Sequence, residues 1–210
     1  MKKTLCYIIL SMALAIMSCS DVPEIPYEKR LKVYPGPNLV DIRDNKTYGT
    51  VIIGSQVWMA ENLNLKIDGI SACYANLAEN CSKYGALYYW VTAMEICPEG
   101  WFLPSNDDWE ELTRFVGGQL DAGYNLKAES GWQSDGNGID KFGFAAVPAG
   151  FIDKDGYPYG EGYAADFWSS MEVNDTTARG RMMIYSENAI LRSDESKMLM
   201  LSVRCLRGLE

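Results

Sequence analysis

Hydrophobic and polar positions divide the chain into three stretches. Residues 5–17 are almost continuously apolar, follow Lys2 and Lys3, and give way to the small residues Ser18, Cys19 and Ser20. A helix that spans a bilayer needs about 20 apolar residues, so this shorter run with a basic front is expected to be a secretory signal, residues 1–18, that is removed. Residues 19–38 follow, with Pro23, Pro26, Pro35 and Pro37 among scattered charges. Proline fixes φ and disfavours helix in the residue before it, which predicts an extended tether after Cys19. Residues 39–210 have the length of one domain, and no internal repeat is visible.

Within that domain, residues 47–53 and 56–62 are β-prone and separated by Gly54-Ser55, the arrangement of a hairpin with glycine first in its two-residue turn. The stretch from Cys73 to Cys81 is too polar and short to be read as an independent element. Residues 87–96 place Leu87, Trp90, Val91 and Met94 at the spacing of one helix face, and Cys97-Pro98 ends the run. A second helix is predicted after Ser105, whose hydroxyl would cap free amides while Asp108 completes a capping box. Its buried stripe is Trp109, Leu112 and Val116, and Gly117-Gly118 stops it. Beyond residue 131 short β-like runs (142–147, 151–152, 167–170, 181–185, 189–192 and 198–206) alternate with Gly, Asn and Asp. Two helices before a strand-rich, loop-rich second half define an α+β class.

Composition narrows the chemistry. The 210 residues contain no His, so Ser-His-Asp and Cys-His machinery and His-ligated metals are excluded. With 19 Lys and Arg against 28 Asp and Glu the net charge is −9, the wrong sign for a phosphate backbone, and no nucleic acid partner is expected. Of six Cys, Cys6 falls in the signal and Cys19 at its end, leaving Cys73, Cys81, Cys97 and Cys205. An even number in an exported domain indicates disulfides. Proximity favours Cys73 with Cys81, which leaves Cys97 for Cys205; in the chain-entropy model the long bridge is worth ~4.7 kcal/mol and the short one roughly 2.5. A four-thiolate zinc site is the rival, and no CxxC spacing supports it.

Several stretches carry a resemblance. They are Tyr48-Gly-Thr-Val-Ile-Ile-Gly-Ser-Gln-Val-Trp-Met-Ala-Glu-Asn-Leu63, Tyr84-Gly-Ala-Leu-Tyr-Tyr-Trp90, Cys97-Pro-Glu-Gly-Trp-Phe-Leu-Pro-Ser-Asn-Asp-Asp-Trp109, Phe142-Gly-Phe-Ala-Ala-Val-Pro-Ala-Gly150, Phe167-Trp-Ser-Ser170 and Ser202-Val-Arg-Cys205. Taken in order, they resemble the Fibrobacter succinogenes major paralogous domain, FISUMP, over about residues 40–207. That resemblance implies an exported or lipid-anchored protein of the Bacteroidota type. Ile16-Met17-Ser18-Cys19 is similar to the bacterial lipobox, which implies an acylated Cys19 and stable anchoring through several chains. A more distant likeness is to the C-type lectin-like fold, in which a Cys after the first helix bonds the last strand and irregular loops precede strands bearing a Trp. Cys97, the helix after Ser105, the loops of residues 130–166, Trp168 and Cys205 fall in that order. The formylglycine-generating enzymes share such a core, but the His ligands of its iron-dependent relatives and the C-terminal Cys pair of the enzymes are missing here.

Candidate sites follow from side-chain chemistry. Asp135, Asn137 and Asp140 offer three oxygen groups in one glycine-containing loop, which would suit Ca²⁺ or simply a polar turn. Asp155-Gly156 is a hairpin-turn pair. Trp132, Tyr157 and Tyr159 are the surface candidates for stacking on a sugar or a protein, whereas Trp168 is assigned to the core. No carboxylate pair stands out as a glycosidase acid and nucleophile. The expectation is a non-catalytic, lipid-anchored outer-membrane protein without a cofactor, binding a glycan or a surface protein. The alternatives are a carboxylate-based polysaccharide-active enzyme on the same scaffold, or a structural or adhesin subunit.

Overall fold

The computed structural model describes residues 4–9, 16–21 and 34–209. The chain divides into two compact units, residues 1–32 and 33–210. In the first, β1 (Thr4–Ile9) pairs antiparallel with β2 (Ile16–Asp21), which sets the Cα of Cys6 opposite that of Cys19. Half of the expected signal, residues 1–3 and 10–15, and most of the expected tether, residues 22–33, lie outside the described residues.

The second unit is α+β. It opens with β3 (Tyr34–Pro35), β4 (Leu39–Asp41), β5 (Lys46–Tyr48), β6 (Thr50–Ile53) and β7 (Gln56–Met59). Strand β3 lies inside the stretch expected to be tether, yet Tyr34 and Pro35 pair with Ile52 and Val51. The predicted hairpin forms: Ile53 faces Gln56, and Gly54 takes φ 65° at the first turn position. Next come β8 (Ser71–Ala72), α1 (Ala78–Tyr84), β9 (Leu87–Tyr89) and α2 (Trp90–Ala93). Two expectations fail here. The Cys73 to Cys81 stretch leads into a real helix, held by the Cys73–Cys81 disulfide and by Asn80 Nδ2 donating to the Tyr74 carbonyl at 3.0 Å. The single helix over 87–96 is instead a strand and one helical turn. Leu87–Tyr89 pairs on both sides, with Ser71–Ala72 and Met200–Ser202, and Val91 is left 69% exposed. A strand buried on both faces has the same apolar density as a buried helix, so periodicity alone does not separate them.

Helix α3 (Asn106–Phe115) forms as its sequence dictates. Ser105 Oγ accepts the Asp108 amide at 3.2 Å, and Asp108 Oδ2 accepts the Ser105 amide at 2.8 Å. Trp109, Leu112 and Val116 are buried, and Gly117 at φ 125° ends the helix. A short α4 (Ala122–Leu126) follows, which periodicity did not reveal. The remaining elements are β10 (Phe151–Ile152), β11 (Pro158–Tyr159), β12 (Ala164–Glu172), β13 (Thr177–Ile184), β14 (Leu191–Ser196), β15 (Met200–Ser202) and β16 (Leu206–Gly208). The main sheet runs β11-β10-β15-β12-β13-β14, with β9 also against β15 and β8 against β9. A second sheet runs β16-β7-β6-β3, and β4 pairs only with β5. Residues 142–147, expected as a strand, make only the Ala146 bridge to Lys127, because Gly143 and Ala145 take positive φ.

The core sits between α3 and these sheets. Trp58 and Trp109 approach to 4.9 Å between ring centroids, and Phe144 and Phe167 pack against Trp109 at 6.0 and 5.6 Å. Arg204 is buried beside them. Its guanidinium donates to Asn62 Oδ1 at 2.6 Å and to the carbonyls of Met59 (3.1 Å), Ala145 (3.0 Å) and Phe144, and it lies over the Phe144 ring. Buried cations persist only when their donors are satisfied, so Arg204 acts as a clamp on the 144–145 loop. Both expected disulfides are present, and Cys97–Cys205 closes a sequence separation of 108. Among the described residues, no helix is long and apolar enough to cross a membrane.

Candidate functional site

A cleft of about 620 Å³ opens on one face of the main sheet, lined by residues that β10, β11, β12, β13 and the loop before β12 supply. One wall is the hairpin of β10 and β11. Phe151 sits in register with Tyr159, and their rings stack at 5.7 Å with planes 28° apart. The turn that joins them is built by Asp153, whose Oδ1 accepts the amides of Asp155 at 2.9 Å and Tyr157 at 2.8 Å, with Gly156 at φ 86°. Gly150 is required where the hairpin closes: it takes φ 65°, and a Cβ there would lie 2.1 Å from the Tyr159 carbonyl oxygen. Tyr163 leans on Tyr185 at 4.7 Å between ring centroids.

Strand alternation sets the floor. Side chains two apart share a face, so Ala164, Asp166 and Trp168 are on one side of β12 and Ala165 and Phe167 on the other, toward α3. Ala164 pairs with Ile184 and Asp166 with Met182, and all four line the cleft. Asp166 is 5% exposed, and its Oδ2 is buried without a hydrogen-bond partner among the described residues. Burial foremost, and repulsion from Glu195 second, push its carboxyl up to about 7. The other acid of the lining, Glu161, is at the rim, where it accepts from Tyr84 Oη at 2.8 Å and pairs with Lys83 at 3.5 Å. The lining contains no Lys or Arg.

The residues singled out from sequence scatter. Tyr159 is in the cleft wall, while Tyr157 stands 63% exposed near the hairpin turn and is not part of the lining. Trp132 is not a surface residue: it is 5% exposed, its Nε1 donates to the Ala146 carbonyl at 3.1 Å, and Lys127 Nζ lies 5.0 Å from its ring centroid. The loop folds back over its own indole, which composition does not reveal. Asn137 Oδ1 accepts the Trp132 amide at 3.0 Å and Asp140 Oδ1 the Ala145 amide at 2.7 Å, so these two side chains fasten the loop to itself, with Asp135 exposed beside them. No group of three or more His, Cys, Asp or Glu arranged to hold a metal is found among the described residues. Trp168 is buried as expected, with Nε1 donating to the Tyr88 carbonyl at 2.8 Å. Cys19 belongs to β2, and nothing of its side chain is described. Sequence reasoning missed Phe151 and Asp166. The available signal was an acid inside the apolar run Ala164-Ala165-Asp166-Phe167-Trp168.

Fold and cleft together define a disulfide-pinned α+β domain with an aromatic, acid-floored cleft. The Fibrobacter succinogenes major domain model matches residues 51–207, and the chain belongs to that family. No curated protein and no solved structure matches the chain.

Proposed function

We propose that the protein is a non-catalytic binding module of the cell envelope, held at the outer membrane by a lipid on Cys19, which takes a carbohydrate in the cleft. The observation that carries this reading is the stacked Phe151–Tyr159 pair in one cleft with a buried carboxylate whose Oδ2 has no partner among the described residues. Aromatic faces suit the C–H faces of a pyranose, and an unpaired carboxylate suits a hydroxyl or amine donor. The order Cys97–Cys205 bridge, α3, long loops and then β12 and β13 bearing Trp168 supports a C-type lectin-like arrangement. Carboxylate-based glycoside hydrolysis uses two acids flanking the scissile bond. Glu161, the second acid of this cleft, is exposed and engaged by Tyr84 and Lys83, which favours binding over catalysis.

Two experiments test the reading. A glycan array probed with the purified protein is expected to give selective binding that Tyr159→Ala abolishes, Trp132→Phe retains and chelator leaves unchanged. A blank array would transfer the role to a protein partner. Separately, Cys19→Ala is expected to move the protein from the membrane to the soluble fraction; unchanged membrane retention would reject the lipid anchor.

A further inference from the structure

From the charges around the cleft, we infer that its ligand is an amino sugar whose free ammonium docks on Asp166. This inference deepens the carbohydrate reading and rests on it. The acids of the lining are Glu161 and Asp166, and no lining residue is a cation. The cations nearby are engaged elsewhere. Lys83 pairs with Glu161 and lies 4.4 Å from the Tyr84 ring centroid, Lys127 donates to the carbonyls of Ile184 and Glu187, and Arg179 pairs with Asp194 at 2.5 Å. Asp166 is thus a buried acid with an oxygen that no donor among the described residues matches, beside Ala164, Met182 and Ile184.

A neutral hydroxyl would give this carboxyl one hydrogen bond and no charge. An ammonium gives up to three donors and the missing positive charge together. The rings of Phe151, Tyr159 and Tyr163 line the same space, and aromatic faces attract a cation through their quadrupole. An N-acetylated sugar loses both advantages, because its nitrogen is uncharged and offers a single N–H.

The test is titration calorimetry of the whole protein with a chitosan tetramer, which carries free amines, against the fully N-acetylated tetramer. The free-amine form is expected to bind at least about ten-fold more tightly, and Asp166→Asn to erase that preference. Tyr159→Ala should weaken both forms. Asp166→Asn removes a buried charge while conserving shape, so the variant stays folded and a lost preference reports the contact. Equal affinity for the two tetramers, or a preference that survives in Asp166→Asn, overturns the inference. If the array finds a neutral sugar held by the cleft and neither tetramer binds, the carbohydrate reading stands and the ammonium inference fails. If no sugar binds at all, both fail. Binding of N-α-acetyl-lysine amide as tight as that of the chitosan tetramer would also overturn the assignment, because the sugar would then contribute nothing.

Discussion

Replacing Cys97 and Cys205 together by Ser is expected to lower the stability of the domain by about 4.7 kcal/mol, against roughly 2.5 kcal/mol for Cys73 with Cys81. The difference comes from loop length. The first bridge closes a separation of 108 residues and the second one of 8, and the longer loop removes more freedom from the unfolded chain. Natural domains are stable by only about 5–15 kcal/mol, so the long bridge alone decides whether a marginal domain stays folded. Its position adds to this. Cys205 follows β15 of the main sheet and precedes β16 of the second, so the bridge pins the strand crossing where the two sheets share the chain. Its amide also points at Met59 Sδ, 3.3 Å away in β7. Urea unfolding of the two double variants measures the effect. A smaller loss for the long bridge than for the short one would reject the loop-length account.

Asp166→Asn is expected to stabilise the protein, and to do so only at higher pH. The carboxyl sits at about 7 in the folded protein and at its ordinary 3.8 when unfolded. Between those values the folded state holds a proton that the unfolded state has released, so stability is greatest below 3.8 and declines as pH rises to about 7. The interval corresponds to roughly 4 kcal/mol at its upper bound. The Asn variant lacks this loss. Its advantage over the parent should be near zero at pH 4 and should plateau above pH 7, as read by thermal or urea unfolding across that range. An advantage independent of pH would show that the carboxyl is ionised throughout and that the gain comes from packing.

Local chemistry made several elements legible in the sequence. The capping box at Ser105 and Asp108, the turns at Gly54-Ser55 and Asp155-Gly156, and the pairing of Cys97 with Cys205 each depend on a few residues whose geometry is set nearby or by covalent bonding. What stayed hidden depends on distant partners. Leu87–Tyr89 is a strand because β15 and β8 flank it, and α1 is a helix although its buried side includes the polar Asn80. The cleft was half legible. Tyr159 was singled out, but Phe151 stacks on it only because Gly150 lets the hairpin close, and Trp132 is covered by Lys127 and the Ala146 carbonyl. Asp166 was one acid among 28, and only the assembled cleft shows that it shares a lining with Phe151, Tyr159 and Tyr163.

The pairing of Leu206 with Trp58 has a consequence for the order of events during synthesis. The second sheet joins β7, near the start of the domain, to β16, and β15 enters the main sheet between β10 and β12. Contacts of such sequence separation form slowly and cannot form at all while β16 is still inside the ribosome. Until then Trp58, Met59 and Leu63 lack their C-terminal neighbours, and the nascent chain carries apolar surface that a holding chaperone would recognise. The two sheets therefore close only once β15 and β16 are available, and those strands act as the closing piece of the domain.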